Sequence, residues 1–116
     1  MSSTARGNAA ENYVAEQLEG MGYVVGSRRH RRGGGDNVAV HPDPLSAPLG
    51  TPILVEVKKC KRRGNLFSGG YFSKEQRQLM RETPLPVGGR RFLAWVTGSS
   101  KRYFRAEFIP ETDWPS

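Results

Sequence analysis

Asp36, Glu56 and Lys58 are the residues whose types and spacing most readily build a reaction centre. Glu56 and Lys58 sit in "ILVEVKK" (53–59), an apolar run that reads as a strand. Alternate residues of a strand share a face. Ile53, Val55 and Val57 therefore point one way, and Leu54, Glu56 and Lys58 the other. The Glu56 and Lys58 Cα atoms are then ~6.5 to 7 Å apart. Asp36 follows three glycines and opens "DNVAVH" (36–41), which alternates with Val38 and Val40 on one face and reads as another strand. If the two strands pair as an antiparallel hairpin, Asp36 lies near the Glu56–Lys58 end. Two converging carboxylates repel each other, and a divalent cation resolves that repulsion. Hard oxygen ligands favour Mg²⁺, with Mn²⁺ as a substitute. Such an ion lowers the pKa of a bound water and stabilises charge building on a phosphate under attack. Lys58 is then placed to orient that water or to neutralise the developing charge. Taken alone, Glu56 and Lys58 read equally as an ordinary ion pair on an exposed sheet edge.

The charge balance favours a polyanionic partner. The chain of 116 residues carries 18 Lys+Arg against 11 Asp+Glu, a formal net charge of +7. Half of those bases lie in two short stretches. Arg28, Arg29, Arg31 and Arg32 form one, and Lys58, Lys59, Lys61, Arg62 and Arg63 the other. Such clustering is the footprint of nucleic-acid binding more than of a generally solvated surface. Arginine contacts to phosphate position a backbone without reading sequence. The single cysteine, Cys60, cannot form an intramolecular disulfide, which fits a reducing cytoplasm. No apolar run approaches the ~18 residues of a membrane span. Cysteine-rich zinc-ligand spacing is absent. Neither histidine has a partner at ligand spacing: His30 lies among arginines and suits phosphate contact, and His41 reads as a loop residue.

The elements that would hold these residues follow from periodicity. Ala10, Tyr13, Val14, Leu18 and Met21 make one apolar stripe, which predicts a helix over 4–21. Ser2, Ser3 and Thr4 offer its cap, and Gly20 and Gly22 its stop. Residues 23–27 read as a short strand, and the four prolines of 42–52 as a connection. Residues 60–72 read as a basic, glycine-containing loop, partly ordered through Leu66, Phe67, Tyr71 and Phe72. A short helix is expected over 74–82, with Ser73 and Gln76 at capping-box spacing and Pro84 and Pro86 beyond its end. "RRFLAWVTG" and "RYFRAEFI" read as two final strands joined by a "GSSK" turn. The order α-β-β-β-α-β-β describes a single α/β domain over 1–116, with a mixed central sheet of about five strands flanked by helices.

"GGGD" followed one strand later by "EVK" resembles the D…ExK core of the PD-(D/E)xK nuclease superfamily. Nineteen residues separate Asp36 from Glu56, a spacing such proteins show. Upstream, "RGNAAENYVAEQLEGMGYVV" is similar to the first helix and strand of the archaeal-type Holliday-junction resolvases. Arg6, Gly7 and Glu11 match the opening pattern of that family, and Gly22, Tyr23 and Val25 match its G-[FY]-x-V strand. The likeness runs from about residue 5 to residue 80. It implies a restriction-endonuclease-like fold and Mg²⁺-dependent cleavage of branched DNA, with four-way junctions as substrate. It implies that Asp36 and Glu56 bind the metal, joined by the carbonyl of Val57. Glu11 would assist from the first helix, and Lys58 would be the catalytic lysine. Arg6, Arg28, Arg29, Arg31, Arg32, Lys59, Lys61, Arg62, Arg63 and Gln76 would contact DNA, although the capping box explains Gln76 as well. The proline-rich connection 41–52 is longer than the tight hairpin usual in the family.

Nicking two strands symmetrically needs two active sites, so the resemblance also implies a homodimer. Trp95, Phe104, Phe108 and Trp114 are candidates for its interface, with simple core packing as the alternative. The expected setting is cellular or viral DNA processing. Two other readings fit the same composition. One is a nuclease of this type acting on flaps, nicks or plain duplex. The other is a non-enzymatic nucleic-acid binder that uses the basic stretches alone.

Overall fold

The computed structural model describes residues 2–26 and 37–115, with side chains from residue 9 onward. Asp36, Ser27, His30, Arg28, Arg29, Arg31 and Arg32 lie outside the described residues, as does the side chain of Arg6.

Helix α1 (Ser2–Gly20) carries the expected stripe. Ala10, Val14 and Leu18 are buried, and Tyr13 and Met21 pack beside them. Ser2, Ser3 and Thr4, expected to cap this helix, are helical themselves. Its end is a Schellman turn. Tyr23 N–H donates to Leu18 O at 3.1 Å and Gly22 N–H to Glu19 O at 3.0 Å. Gly22 takes the left-handed φ of 98° that this turn requires.

Strands β1 (Val24–Val25), β2 (Asn37–Val40), β3 (Ile53–Lys59), β4 (Arg90–Thr97) and β5 (Arg105–Pro110) form one sheet in that order. The β3–β4 pair is parallel and the other three pairs are antiparallel. A parallel step needs a long crossover. Helices α2 (Arg63–Phe67) and α3 (Lys74–Glu82) supply it. Helix α2 replaces part of the loop expected over 60–72; five residues are too few to show a helical period. Its Leu66 and the following Phe72 are fully buried. Strand β5 starts at Arg105, later than expected, because Lys101–Tyr103 form a 3₁₀ turn.

Two apolar layers cover the sheet. On one face, Ile53, Val55 and Val57 meet α1 and Phe92, Ala94 and Val96. On the other, Leu54 and Leu93 meet Leu66, Phe72, Met80, Ile109 and Trp114. Strand β2 alternates as expected. Val38 and Val40 do share a face, but the fully buried positions are Asn37 and Ala39 on the α1 side. Trp114 is a core residue, its ring edge-on to Phe72 and its Nε1–H donating to Ile109 O at 3.0 Å. Trp95, Phe104 and Phe108 pack against the two layers. Packing thus accounts for all four aromatics proposed as an interface. Among the described residues, no helix is long and apolar enough to cross a membrane.

Candidate active site

The burial of its charges sets β3 apart from an exposed sheet edge. Strand β3 lies between β2 and β4 in the sheet order, with β2 described beside Ile53–Val55 and β4 beside the whole strand. Glu56 is 4% exposed. Lys58 Nζ lies 3.3 Å from Glu56 Oε2, with 21% of its side chain accessible. A buried ion pair loses so much hydration that hydrocarbon of similar volume often serves stability as well or better. Stability alone is therefore a weak reason for these two residues to be here.

Gln76 joins them from α3. Ser73 caps that helix, its Oγ accepting from Gln76 N–H at 3.2 Å. The Gln76 amide has two orientations to choose from. In one, Oε1 accepts from Ser73 N–H at 3.4 Å and closes the capping box. That orientation sets oxygen against the Tyr71 carbonyl and the NH₂ group against the Lys58 ammonium. In the other, Nε2 donates to Tyr71 O at 3.1 Å and Oε1 accepts from Lys58 Nζ at 3.3 Å. The second arrangement satisfies both ends with correct polarity, whereas a 3.4 Å contact is weak. Gln76 therefore orients Lys58 while its backbone keeps the cap. The cap and the site are not alternatives here.

Glu11 and Val57 complete the described part of the expected site. Tyr13 of α1 packs edge-on against Phe104 at 5.5 Å, and Lys59 Nζ lies 5.8 Å from the same ring. These contacts place the Tyr13 turn of α1 near Lys59 at the end of β3. Glu11, Glu56 and Val57 all have interaction partners. The β2–β3 ladder is described as far as Asn37 opposite Val55. Beyond that pair β3 continues through Lys59 alongside β4. Asp36, the residue before Asn37, lies outside the described residues. Among the described residues, no group of three His, Cys, Asp or Glu side chains is placed to hold a metal. The available donors are hard carboxylate and carbonyl oxygens, which suit Mg²⁺ or Mn²⁺.

The bases after Glu56 are distributed over different surroundings. Strand alternation sends Lys58 and Lys59 to opposite faces. Lys59 stacks on Phe104, and Arg63 pairs with Glu107 at 2.5 Å. Lys61 and Arg62 are exposed. Elsewhere bases serve the fold. Arg91 donates to Met80 O at 2.6 Å and to Thr83 O, closing the C-terminal turn of α3. Arg77, 6% exposed, donates to Phe72 O and Pro115 O.

Cys60 is buried, and burial pushes its thiol above the ordinary range. A neutral, enclosed thiol is not a nucleophile. His41 is a structural staple. Its Nδ1 accepts from Asp43 N–H at 3.0 Å and its Nε2 lies 3.2 Å from Met21 O, which selects the neutral Nε2–H tautomer. It thereby ties the proline-rich connection to the end of α1.

Sequence reasoning missed Asn37. Its side chain is fully buried on the α1 face, and neither amide atom has a hydrogen-bond partner among the described residues. The signal was present as a polar residue on the face that carries Ala39, but the valines of the opposite face drew attention away.

No family model matches the chain, and neither a curated protein nor a solved structure does.

Proposed function

We propose that this chain is a Mg²⁺-dependent DNA endonuclease with a restriction-endonuclease-like fold, of the PD-(D/E)xK type and most similar to the Holliday-junction resolvases. The observation that carries the reading is the Glu56–Lys58 pair buried on a central strand, with Gln76 directed at the ammonium. Asp36, Glu56 and the Val57 carbonyl would hold the ion, with Glu11 assisting from α1. The ion, when bound, supplies Lewis acidity and a more acidic water. Glu56 pairs with Lys58 and holds it in position. Lys58, held also by Gln76, presents its ammonium to the charge that grows on the phosphate. Arg6, the arginines of 28–32, Lys61 and Arg62 would engage flanking phosphates. The setting is DNA processing in the cytoplasm of a cell, or of a host cell for a virus.

Resolving a four-way junction requires two such sites, hence a homodimer. An open apolar groove of about 540 Å³ lies beside β2, lined by Val38, Val40, Leu54, Leu85 and neighbouring prolines. Val24, paired with Val40, extends the same face and is 67% exposed. No charged side chain lines the groove. Two copies of a chain carrying +7 meet there without like-charge contact, so a second copy is its occupant. Val40→Arg should convert dimer to monomer in sedimentation while nicking persists; a dimer that survives the substitution removes this face from the proposal.

Cleavage of a synthetic four-way junction, compared with matched linear duplex, with and without Mg²⁺, tests the activity. Mg²⁺-dependent cutting of the junction alone supports the resolvase reading. Equal rates on both substrates leave a nuclease of other specificity. No cleavage of any DNA, with binding retained in Glu56→Gln, leaves a nucleic-acid binder.

A further inference from the structure

The turn between β4 and β5 carries a basic, aromatic tip that lies outside both basic clusters. Lys101, Arg102, Tyr103 and Arg105 are exposed there, Tyr103 by 60%. The tip is built to hold its shape. Gly98 takes a φ of 120°, and a Cβ on it would come within 2.5 Å of Tyr103 O. Tyr103 N–H donates to Ser100 O at 2.8 Å and Phe104 N–H to Lys101 O at 3.2 Å. Phe104 turns inward, edge-on to Tyr13. Tyr103 turns outward, with the Arg102 guanidinium 5.3 Å from its ring centroid. Folding thus uses Phe104 and leaves Tyr103 in solvent. Lys101 makes an exposed pair with Glu16 at 3.7 Å, of little worth to stability. Among the described residues, neither Arg102 nor Arg105 has an acidic partner.

Register brings this tip to the Lys58 end of the sheet. Lys58 pairs with Trp95 across the parallel β3–β4 ladder, and Trp95 with Glu107 on β5. Directly paired residues share a face, so Lys58, Trp95 and Glu107 form one row. Arg105, opposite Thr97, occupies the same face one row nearer the turn. Strand spacing and rise put its Cα ~12 Å from that of Lys58. The carboxylate between them, Glu107, is paired with Arg63. Bases that track a phosphate backbone beside an exposed aromatic ring suit a single strand, whose bases stack on the ring. In a duplex the bases stack on one another and offer a side chain no open face. We propose that the β4–β5 tip binds an unpaired DNA segment next to the cleaved phosphate. One base stacks on Tyr103, which Arg102 backs, and a phosphate meets Arg105. The inference rests on the DNA-processing reading and sharpens its substrate to branched DNA with unpaired nucleotides at the branch.

Fluorescence anisotropy with the full chain and no metal tests this, using labelled oligothymidylate and a labelled duplex. Tyr103→Ala should weaken binding of the single strand ~5- to 150-fold, the effect of losing one stacked base, and change duplex affinity by about two-fold at most. Tyr103→Phe keeps the ring and should bind both as wild type does. Arg105→Gln should lower the slope of log affinity against log salt by ~0.7 on the single strand, the share of one phosphate contact. The tyrosine is exposed, so the melting temperature of Tyr103→Ala should match wild type and exclude a folding defect. Equal loss on both substrates, no loss on the single strand, or a phenylalanine variant as weak as the alanine one overturns the role of the tip and leaves the nuclease reading standing. Failure of the wild-type chain to bind either DNA overturns both.

Discussion

The two faces of β3 differ by one residue of register and by their whole chemistry. Ile53, Val55 and Val57 meet hydrocarbon along the full strand under α1. Leu54 does the same on the other face, but Glu56 and Lys58 then enter a layer otherwise built from Leu66, Phe72, Met80 and Leu93. Burial is similar on both faces, since Val57 is 7% exposed and Glu56 4%. Only the first face is explained by burial. The hydrophobic effect rewards each methyl on the α1 side, whereas a carboxylate in the same depth costs stability unless paired. The α1 face holds the strand in place, and the opposite face uses that rigidity to hold charges at fixed positions.

Exchanging chemistry on the charged face should have the largest effect. Lys58→Met keeps most of the volume and removes the ammonium. We expect Mg²⁺-dependent cleavage to fall roughly 10²- to 10³-fold in kcat, the scale of losing one preorganised charge-stabilising donor. Single-turnover kinetics on a four-way junction measures it. Binding of that DNA without metal should change little. A variant that cleaves at the wild-type rate would return Glu56 and Lys58 to the status of a structural pair.

The matching change on the apolar face is Leu18→Ala, at a fully buried position of α1. Truncation there should cost ~2 to 5 kcal/mol by urea denaturation. Cleavage per folded molecule should remain, because Leu18 touches only the layer beneath the strand. If activity per folded molecule collapsed with Leu18, the division of labour between the faces would be wrong.

The double variant Glu56→Leu/Lys58→Met tests the comparison from the other side. It makes the two faces alike. Replacing a buried pair with packed hydrocarbon is often neutral or stabilising by ~1 to 4 kcal/mol. We expect a protein at least as stable as wild type and without cleavage. A strongly destabilised double variant would show that the pair serves the fold.

What was legible in the sequence follows the same division. The α1 stripe, the bounds of β3 and α3, and the Ser73 cap all rest on local periodicity or on residues three apart, and they were read correctly. Glu56 and Lys58 on one face followed from strand alternation alone. Their burial did not, because it depends on β4 lying parallel beside β3 and on α3 folding over both, which are long-range facts. The bonds from Arg77 to Pro115 O and from Arg91 to Met80 O were invisible for that reason: each carbonyl is brought near by the completed fold. Lys59 and Arg63 were grouped into one basic cluster from adjacency in sequence. Alternation of the strand and the distant Phe104 and Glu107 divide them.

The smallest expected effect separates two duties that meet in one turn of α3. Ser73→Ala removes the hydroxyl that accepts from Gln76 N–H, at a cost of ~1 kcal/mol typical of a lost N-cap. Lys58 keeps its contact with the Gln76 amide, so cleavage per folded molecule should hold. Gln76→Met does the reverse. The backbone N–H still reaches Ser73 Oγ, so stability should change by ~0.5 kcal/mol or less, as is usual away from the core. The ammonium, however, loses the amide oxygen 3.3 Å away and is held by Glu56 on one side only. Cleavage should drop several-fold, in kcat and not in KM for the DNA, because an imprecisely placed charge weakens stabilisation of the transition state without altering phosphate binding. The two substitutions lie three residues apart on one helix, so a general loosening of α3 would move both readouts together. Opposite patterns, stability lost in one and rate lost in the other, would show that α3 is built on a cap and aimed by the residue inside it.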